Sequence, residues 1–340
     1  MIACFTGVVV RLLCPGCNHA RGVAALWGVL GLGGCDDGYH EMSGSTMGTG
    51  FRVVAGCADG LDPAWVTTVL DEVESHLSTY RHDSELSEFN DRAGNDWVAV
   101  SPMLAEIVRM ALDLAALTQG SFDPTVAQAV ARAGFGPPGS GEPSVPAGIG
   151  YQAIEVDSAT PALRKSAPRE IDLSAIAKGY AVDRIRDVLA ANRGLDLMVE
   201  IGGEIAVAGR PRRGGRWRIG IEHPDPDEGV FVSIGLDEGA VATSGHYRQF
   251  RMVGGKRVSH LIDPRTGEPL VAAGDGLESV TVVTSAAAHA DALATAIAVM
   301  GVERGLEFAE RNGLAVLMFQ RSGAGYRVRH SSAMRMLLSQ

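Results

Sequence analysis

The chain has 340 residues, 46% of them hydrophobic and 21% charged, with a formal net charge of −10. This length can bury a substantial core as one large domain or two, and the acidic balance excludes a protein that coats nucleic acid, which needs clustered Lys and Arg. All five cysteines, Cys4, Cys14, Cys17, Cys35 and Cys57, come early, so neither disulfides nor thiolate-bound metal can hold the rest together.

Past Arg21 an uncharged run, Gly22 to Gly34, is too short to span a membrane but suits the apolar region of a signal peptide. It ends in Leu32-Gly33-Gly34-Cys35, which resembles a bacterial lipobox. Residues 1–34 are therefore expected to be a signal peptide, with 35–43 a tether and Cys35 the lipid anchor to the membrane. Asp36 resembles an inner-membrane retention signal, which points to the periplasmic face. Cleavage would leave 28 basic and 40 acidic residues, a formal −12. The competing reading is an apolar N-terminal helix of an intracellular protein. Cys14-Pro-Gly-Cys17 has no second pair or His cluster to complete a zinc site.

Residues 44–340 form the expected folded region. Met47 to Val54 reads as a loop entering a strand, and Asp62-Pro63 opens a helix with Val66, Val69, Leu70, Val73 and Leu77 at helical spacing. Ser84 to Asn90 is polar and reads as a loop; Ser101-Pro102 caps a second helix that stops before Gly120. Gly134 to Gly150 is rich in breakers and is the candidate linker or large loop. Its G-x-G-x-x-G carries Pro137 and Pro138, which remove the amide donors a pyrophosphate needs, so it is no dinucleotide fingerprint. Strands are expected at Ile154 to Asp157 and Glu170 to Leu173, followed by a helix stopped by Gly194. Short strands then dominate: Leu197 to Ile201, Glu204 to Ala208, Trp217 to Ile221, Phe231 to Leu236, and a hairpin at Gly254-Gly255. Strand Ser279 to Thr284, two helices, strand Leu314 to Phe319 and a last strand near Tyr326 close the chain. The pattern predicts an α+β fold, with mixed, mostly antiparallel sheets, packed helices and two subdomains around a cleft.

Two stretches carry chemistry. His289 to Gly301 is strongly helical, which puts Asp291 and Thr295 on one face four residues apart. Hard oxygens at this spacing suit Mg²⁺; an Asp in a first helical turn and a Thr bonded to its own backbone account for them equally well. Asp172 to Asp183, DLSAIAKGYAVD, sits where a strand is expected to turn into a helix. Such a junction offers free N–H groups to an anion, with Lys178 one turn inside, although Asp172 would equally serve as an ordinary helix cap.

Eight blocks in order resemble the FAD:protein FMN transferases of the ApbE type: MGT at Met47, S-x-Y at Ser78, SFDPT at Ser121, DLSAIAKGYAVD at Asp172, EIGGEI at Glu200, ATSG at Ala242, SHLIDPRTG at Ser259 and HADALAT at His289. The resemblance implies a Mg²⁺-dependent enzyme that moves the FMN half of FAD onto a Thr hydroxyl of a target protein and releases AMP. It places Mg²⁺ at Asp291, Thr295 and the main-chain carbonyl of Ala175. FAD contacts fall to Met47, Tyr80, Ser121, Phe122, Asp123, Asp172, Lys178 and Leu261 or Ile262, and His260 resembles a His linked to transfer. The motif departs at His246, where Asp or another polar residue commonly follows TSG. A membrane redox-complex subunit is the expected target. The competing functions are hydrolysis of FAD to FMN and AMP by the same site, and a non-catalytic lipoprotein that binds FAD.

Overall fold

The computed structural model describes residues 31–34, 39–56, 61–138, 148–193, 196–211, 214–245, 250–253, 256–271 and 276–340. Cys35 and residues 36–38 of the expected tether lie outside them, as do His246 and residues 139–147 of the 134–150 loop; the rest of the tether, from Tyr39, is a paired strand instead.

A nine-stranded antiparallel sheet forms the frame. Its order is Gly31–Gly34, Tyr39–Thr46, Thr49–Gly56, Asp196–Ile201, Glu204–Ala208, Gly239–Gly245, Leu277–Thr284, Ala315–Ser322 and Gly325–His330. Gly31–Gly34 falls inside the expected signal peptide, but it is an edge strand, so the ladder from Tyr39 onward closes without it. Period-two alternation sends neighbouring side chains to opposite faces. Val53, Val199 and Val282 thus join the core beneath the helices Ser174–Arg193 and Ala287–Met300. Val54, Met198 and Phe319 join a second core, closed by the hairpin Trp217–Glu222 and Val230–Leu236 and by the helix Ser332–Leu338.

The helices Pro63–Leu77 and Pro102–Leu117 pack with a small sheet of Val98–Ala99, Ala162–Lys165 and Ile154–Val156, and their apolar side chains merge into the first core. Another three-stranded sheet, Phe250–Val253, Lys256–Asp263 and Glu268–Val271, projects from the frame. The α+β class and the largely antiparallel pairing are as the sequence predicts.

Two local expectations fail, and some elements arise where none was expected. The polar stretch after Ser84 is a helix, Glu85–Asp91, because Ser84 Oγ caps it by accepting from Ser87 N at 3.1 Å while Leu86 and Phe89 bury inward. No strand forms at Glu170–Leu173; instead, the Asn90 side chain both donates to Ile171 O and accepts from Ile171 N, at 2.8 Å each, replacing a ladder. The strand Gly239–Gly245 and the final helix Ser332–Leu338 went unpredicted, the first because its small residues lack β-branched bulk.

Candidate functional site

The centre of the site is the crossing of two helices. On Ser174–Arg193, Gly179 lets the partner helix approach so closely that a Cβ there would sit 2.3 Å from Ala287 O and 2.6 Å from Ala288 N. The same approach brings Asp183 to the start of Ala287–Met300, where its two oxygens accept from Ala287 N and Ala288 N, each at 2.9 Å. That helix begins after Ala286, which has no polar side chain, so its free amides are capped from outside. Burial pushes the Asp183 carboxyl above its ordinary range, against the opposing pull of these two amides and of Arg186.

One turn further along, buried Asp291 Oδ2 accepts from Lys178 Nζ and from Gly179 N, both at 3.3 Å. Glu204, also buried, brings Oε1 to 3.5 Å from the same ammonium. Burial alone would push the Lys178 ammonium down; the two carboxylates outweigh it, and the group is held above its ordinary value. Gly179 is four residues past Ala175, so its amide is the regular helical partner of the Ala175 carbonyl. Here it also turns to Asp291, and a carbonyl has two lone pairs to offer. On the same helix face Thr295 Oγ1 lies 3.2 Å from Ser244 Oγ, at the end of the strand Gly239–Gly245. A carboxylate, a carbonyl and hydroxyls, with no sulfur or imidazole in the set, have the chemistry of a Mg²⁺ site. Among the described residues no cluster of three or more His, Cys, Asp or Glu forms a metal site of the more familiar kind.

A second group lies beside the first residues of the Ser174–Arg193 helix. Asp172 Oδ1 accepts from Ser174 N at 2.7 Å, and Asp172 N donates to Pro124 O at 2.7 Å, which ties the 121–125 loop to the helix start. Tyr80, 55% exposed, donates its hydroxyl to Phe135 O at 2.9 Å. Burial and then the Asp172 charge raise its phenol above the ordinary value. The Phe135 ring meets the His260 ring edge-on, with centroids 6.2 Å apart. His260 lies where the pairing of Lys256–Asp263 with Glu268–Val271 shifts register, a bulge that re-aims side chains. Leu261 and Ile262 beside it are buried, and Leu261 N donates to Ser259 Oγ at 3.2 Å.

Met47 and Gly48 form a two-residue hairpin turn with φ of 48° and 72°. Asn-Gly is the usual occupant of such a turn; Met is held there by Glu74, whose Oε1 accepts from Met47 N at 2.9 Å and Thr46 Oγ1 at 2.7 Å. Ser121, Phe122 and Asp123 are all buried. The Asp123 carboxylate turns into its own loop, accepting from Thr125 N, Thr125 Oγ1 and Tyr151 N at 2.8, 2.6 and 3.0 Å. A concavity of about 400 Å³ opens beside it, lined among others by Gly120, Tyr151 and Arg265.

Contacts thus join Lys178, Asp291 and Glu204, then Thr295 and Ser244, then Tyr80, Phe135 and His260, with Asp172 acting on Tyr80 through its charge. Sequence reasoning missed Glu204, Asp183, Phe135 and the Ser244 hydroxyl. One signal was available for Asp183: it ends the DLSAIAKGYAVD block, while Ala286 leaves the next helix without a local cap.

The ApbE family model matches residues 47–318. An FAD:protein FMN transferase of Vibrio cholerae is 38% identical over 335 residues, covering 93% of this chain and 98% of that protein. A flavinyl transferase structure from Pseudomonas stutzeri superposes with a TM-score of 0.79 at 34% identity, covering 89% of this chain and 97% of that one. The flavin transferase structure from Vibrio cholerae gives 0.77 at 38%, covering 88% and 99%. With the match running from the Met47 turn through the helix of Asp291, the chain belongs to the ApbE family.

Proposed function

We propose that the chain transfers the FMN half of FAD to a threonine hydroxyl of a target protein and releases AMP, with Mg²⁺ held by Asp291, Thr295 and the Ala175 carbonyl. The observation that carries this reading is the meeting of Lys178, Asp291 and Gly179 N at the helix crossing, with Ser244 beside Thr295. Bound there, Mg²⁺ would neutralise charge on the pyrophosphate. Lys178 Nζ donates to Asp291 Oδ2 and orients its carboxylate. Asp172, which caps the Ser174–Arg193 helix by accepting from Ser174 N, and Tyr80 stand near the helix start as groups for the flavin. Met47, the 121–123 loop and Leu261-Ile262 complete the FAD contacts.

His260 takes the proton of the incoming threonine as its oxygen bonds to the FMN phosphorus; the bond from that phosphorus to the AMP oxygen breaks, and AMP leaves. The Phe135 ring against His260 restricts the imidazole's orientation. The mature chain is lipid-anchored through Cys35 to the periplasmic face of the inner membrane, next to membrane redox subunits that would serve as targets. This extends the lipobox-like run ending at Cys35.

Incubation of the full chain with FAD, Mg²⁺ and a candidate target, followed by mass spectrometry, tests the reading. FMN attached to a threonine is the expected product. Free FMN and AMP alone would make the chain a hydrolase, and intact FAD would make it a carrier.

A further inference from the structure

Among the described residues no further strand pairs with either edge of the projecting sheet, and the two edges differ. Along Glu268–Val271 an exposed Glu268 and Pro269, which has no N–H to offer, guard the edge against pairing. The opposite edge, Phe250–Val253, has neither proline nor acid, and its one charged side chain, Arg251, is tied back by a bond to Gly134 O at 2.9 Å. Phe250 and Met252, two apart and so on one face, are 41% and 60% exposed. Arg257, opposite Met252 in the ladder, lays its guanidinium 4.4 Å from the Phe250 ring centroid. Residues 246–262 contain Arg248, Arg251, Lys256 and Arg257 and no Asp or Glu, in a chain whose net charge is −10. The strand paired with this edge carries His260, and Ser244, at the end of the Gly239–Gly245 strand, precedes Phe250 by six residues.

We propose that the Phe250–Val253 edge docks the target protein by strand addition. The occupant is an extended segment next to the acceptor threonine, net acidic and apolar at alternate positions. Main-chain hydrogen bonds to an open edge supply affinity, and alternate side chains supply selectivity; here Phe250 and Met252 offer the apolar contacts and Arg251 the charge complement, while Arg257 is shared with Glu278. An added strand would lie two strand spacings, roughly 10 Å, from the His260 strand, so the threonine sits beyond the docked stretch rather than within it. The proposal rests on the reading that the acceptor is a protein. A lipid surface would also take cationic and apolar groups, but it makes no use of an open strand edge.

The test is selection of a displayed library of random dodecapeptides, each with one fixed threonine, on the full chain without FAD. Enriched peptides are expected to be net acidic with alternating apolar residues, and to bind Met252→Asp at least tenfold more weakly while that variant keeps its affinity for FAD. In the best binder, N-methylation of alternate amides in one phase should abolish binding, and in the other phase leave it intact. No enrichment, equal binding by Met252→Asp, or equal tolerance of both methylation phases would overturn the proposal. So would Met252-dependent binding to phosphatidylglycerol vesicles with no peptide enriched, which would assign the edge to a lipid surface. Because selection needs no FAD, its failure is distinct from failure of FMN transfer, which is read separately as flavin mass on protein.

Discussion

Gly179→Ala is the sharpest probe of the helix crossing. The added methyl would meet Ala287 O at 2.3 Å, Ala287 C at 2.5 Å and Ala288 N at 2.6 Å. These are backbone atoms at a capped helix start, so relief requires the two helices to part by on the order of 1 Å, the shortfall from ordinary contact. Overpacking of this kind costs about 1–3 kcal/mol, and the upper end applies where backbone must move. Alanine recovers about 1 kcal/mol of helix propensity over glycine, which leaves a net loss of about 2 kcal/mol. The same displacement draws Asp291 Oδ2 away from Lys178 and Gly179 N and loosens the Asp183 cap. A 1 Å misplacement at a reacting centre costs roughly 10²-fold in rate. Urea unfolding together with covalent flavin incorporation across a Mg²⁺ series measures both. Wild-type stability with wild-type Mg²⁺ dependence would refute the claim that close approach of these helices builds the site.

Asp291→Ala should abolish transfer while the chain stays folded, because the small buried side chain leaves little cavity; full activity in chelator-treated buffer resupplied with Mg²⁺ would remove the metal assignment. Asp183→Ala leaves Ala287 N and Ala288 N without their acceptor and should cost about 1–2 kcal/mol in urea unfolding, with Asp183→Asn intermediate. The Lys178 ammonium is raised above its ordinary 10.5, so its contribution to stability is fully present below that pH and is lost as pH rises through the folded-state value. Lys178→Met should therefore flatten the alkaline limb of the stability profile and also weaken FAD binding; an unchanged alkaline limb would contradict the pairing. Palmitate labelling should disappear in Cys35→Ser, and its survival would refute lipidation there.

Where the sequence was legible, one dominant local force was at work. Caps such as Asp62-Pro63 and Ser101-Pro102 start their helices as expected, since a side-chain acceptor and a proline at the first turn act within a few residues. The spacing of Asp291 and Thr295 correctly placed both on one helix face, because helical periodicity is local too. What escaped depended on distant partners. Glu204 belongs to the Lys178 pair only because the sheet and helix meet there, and Asn90 replaces a strand at Ile171 from 81 residues away. Gly179, unremarkable inside a helical pattern, acquires its role from the backbone of another helix. Lys178 shows the limit most directly: spacing alone suggested a cation free to meet a phosphate, whereas the fold gives it two carboxylates first.

That pairing changes how the site should take up its ligands. Asp291 and Glu204 against Lys178 leave a single net negative charge at the crossing, too little to hold a dication strongly when the remaining donors are neutral oxygens. Mg²⁺ keeps waters and recruits substrate phosphates where protein ligands are few, so in the proposed mechanism the pyrophosphate of FAD supplies the missing charge and metal and FAD reinforce each other's binding. Lys178→Met would remove the ammonium and leave two buried carboxylates, which attract a dication more strongly. Its Mg²⁺ affinity without FAD should then exceed that of the wild type. Calorimetric titration of Mg²⁺, with and without FAD, reads this directly. Strong Mg²⁺ binding by the wild type without FAD, unaltered by adding FAD, would show that the charge at the helix crossing does not govern the order in which the site fills.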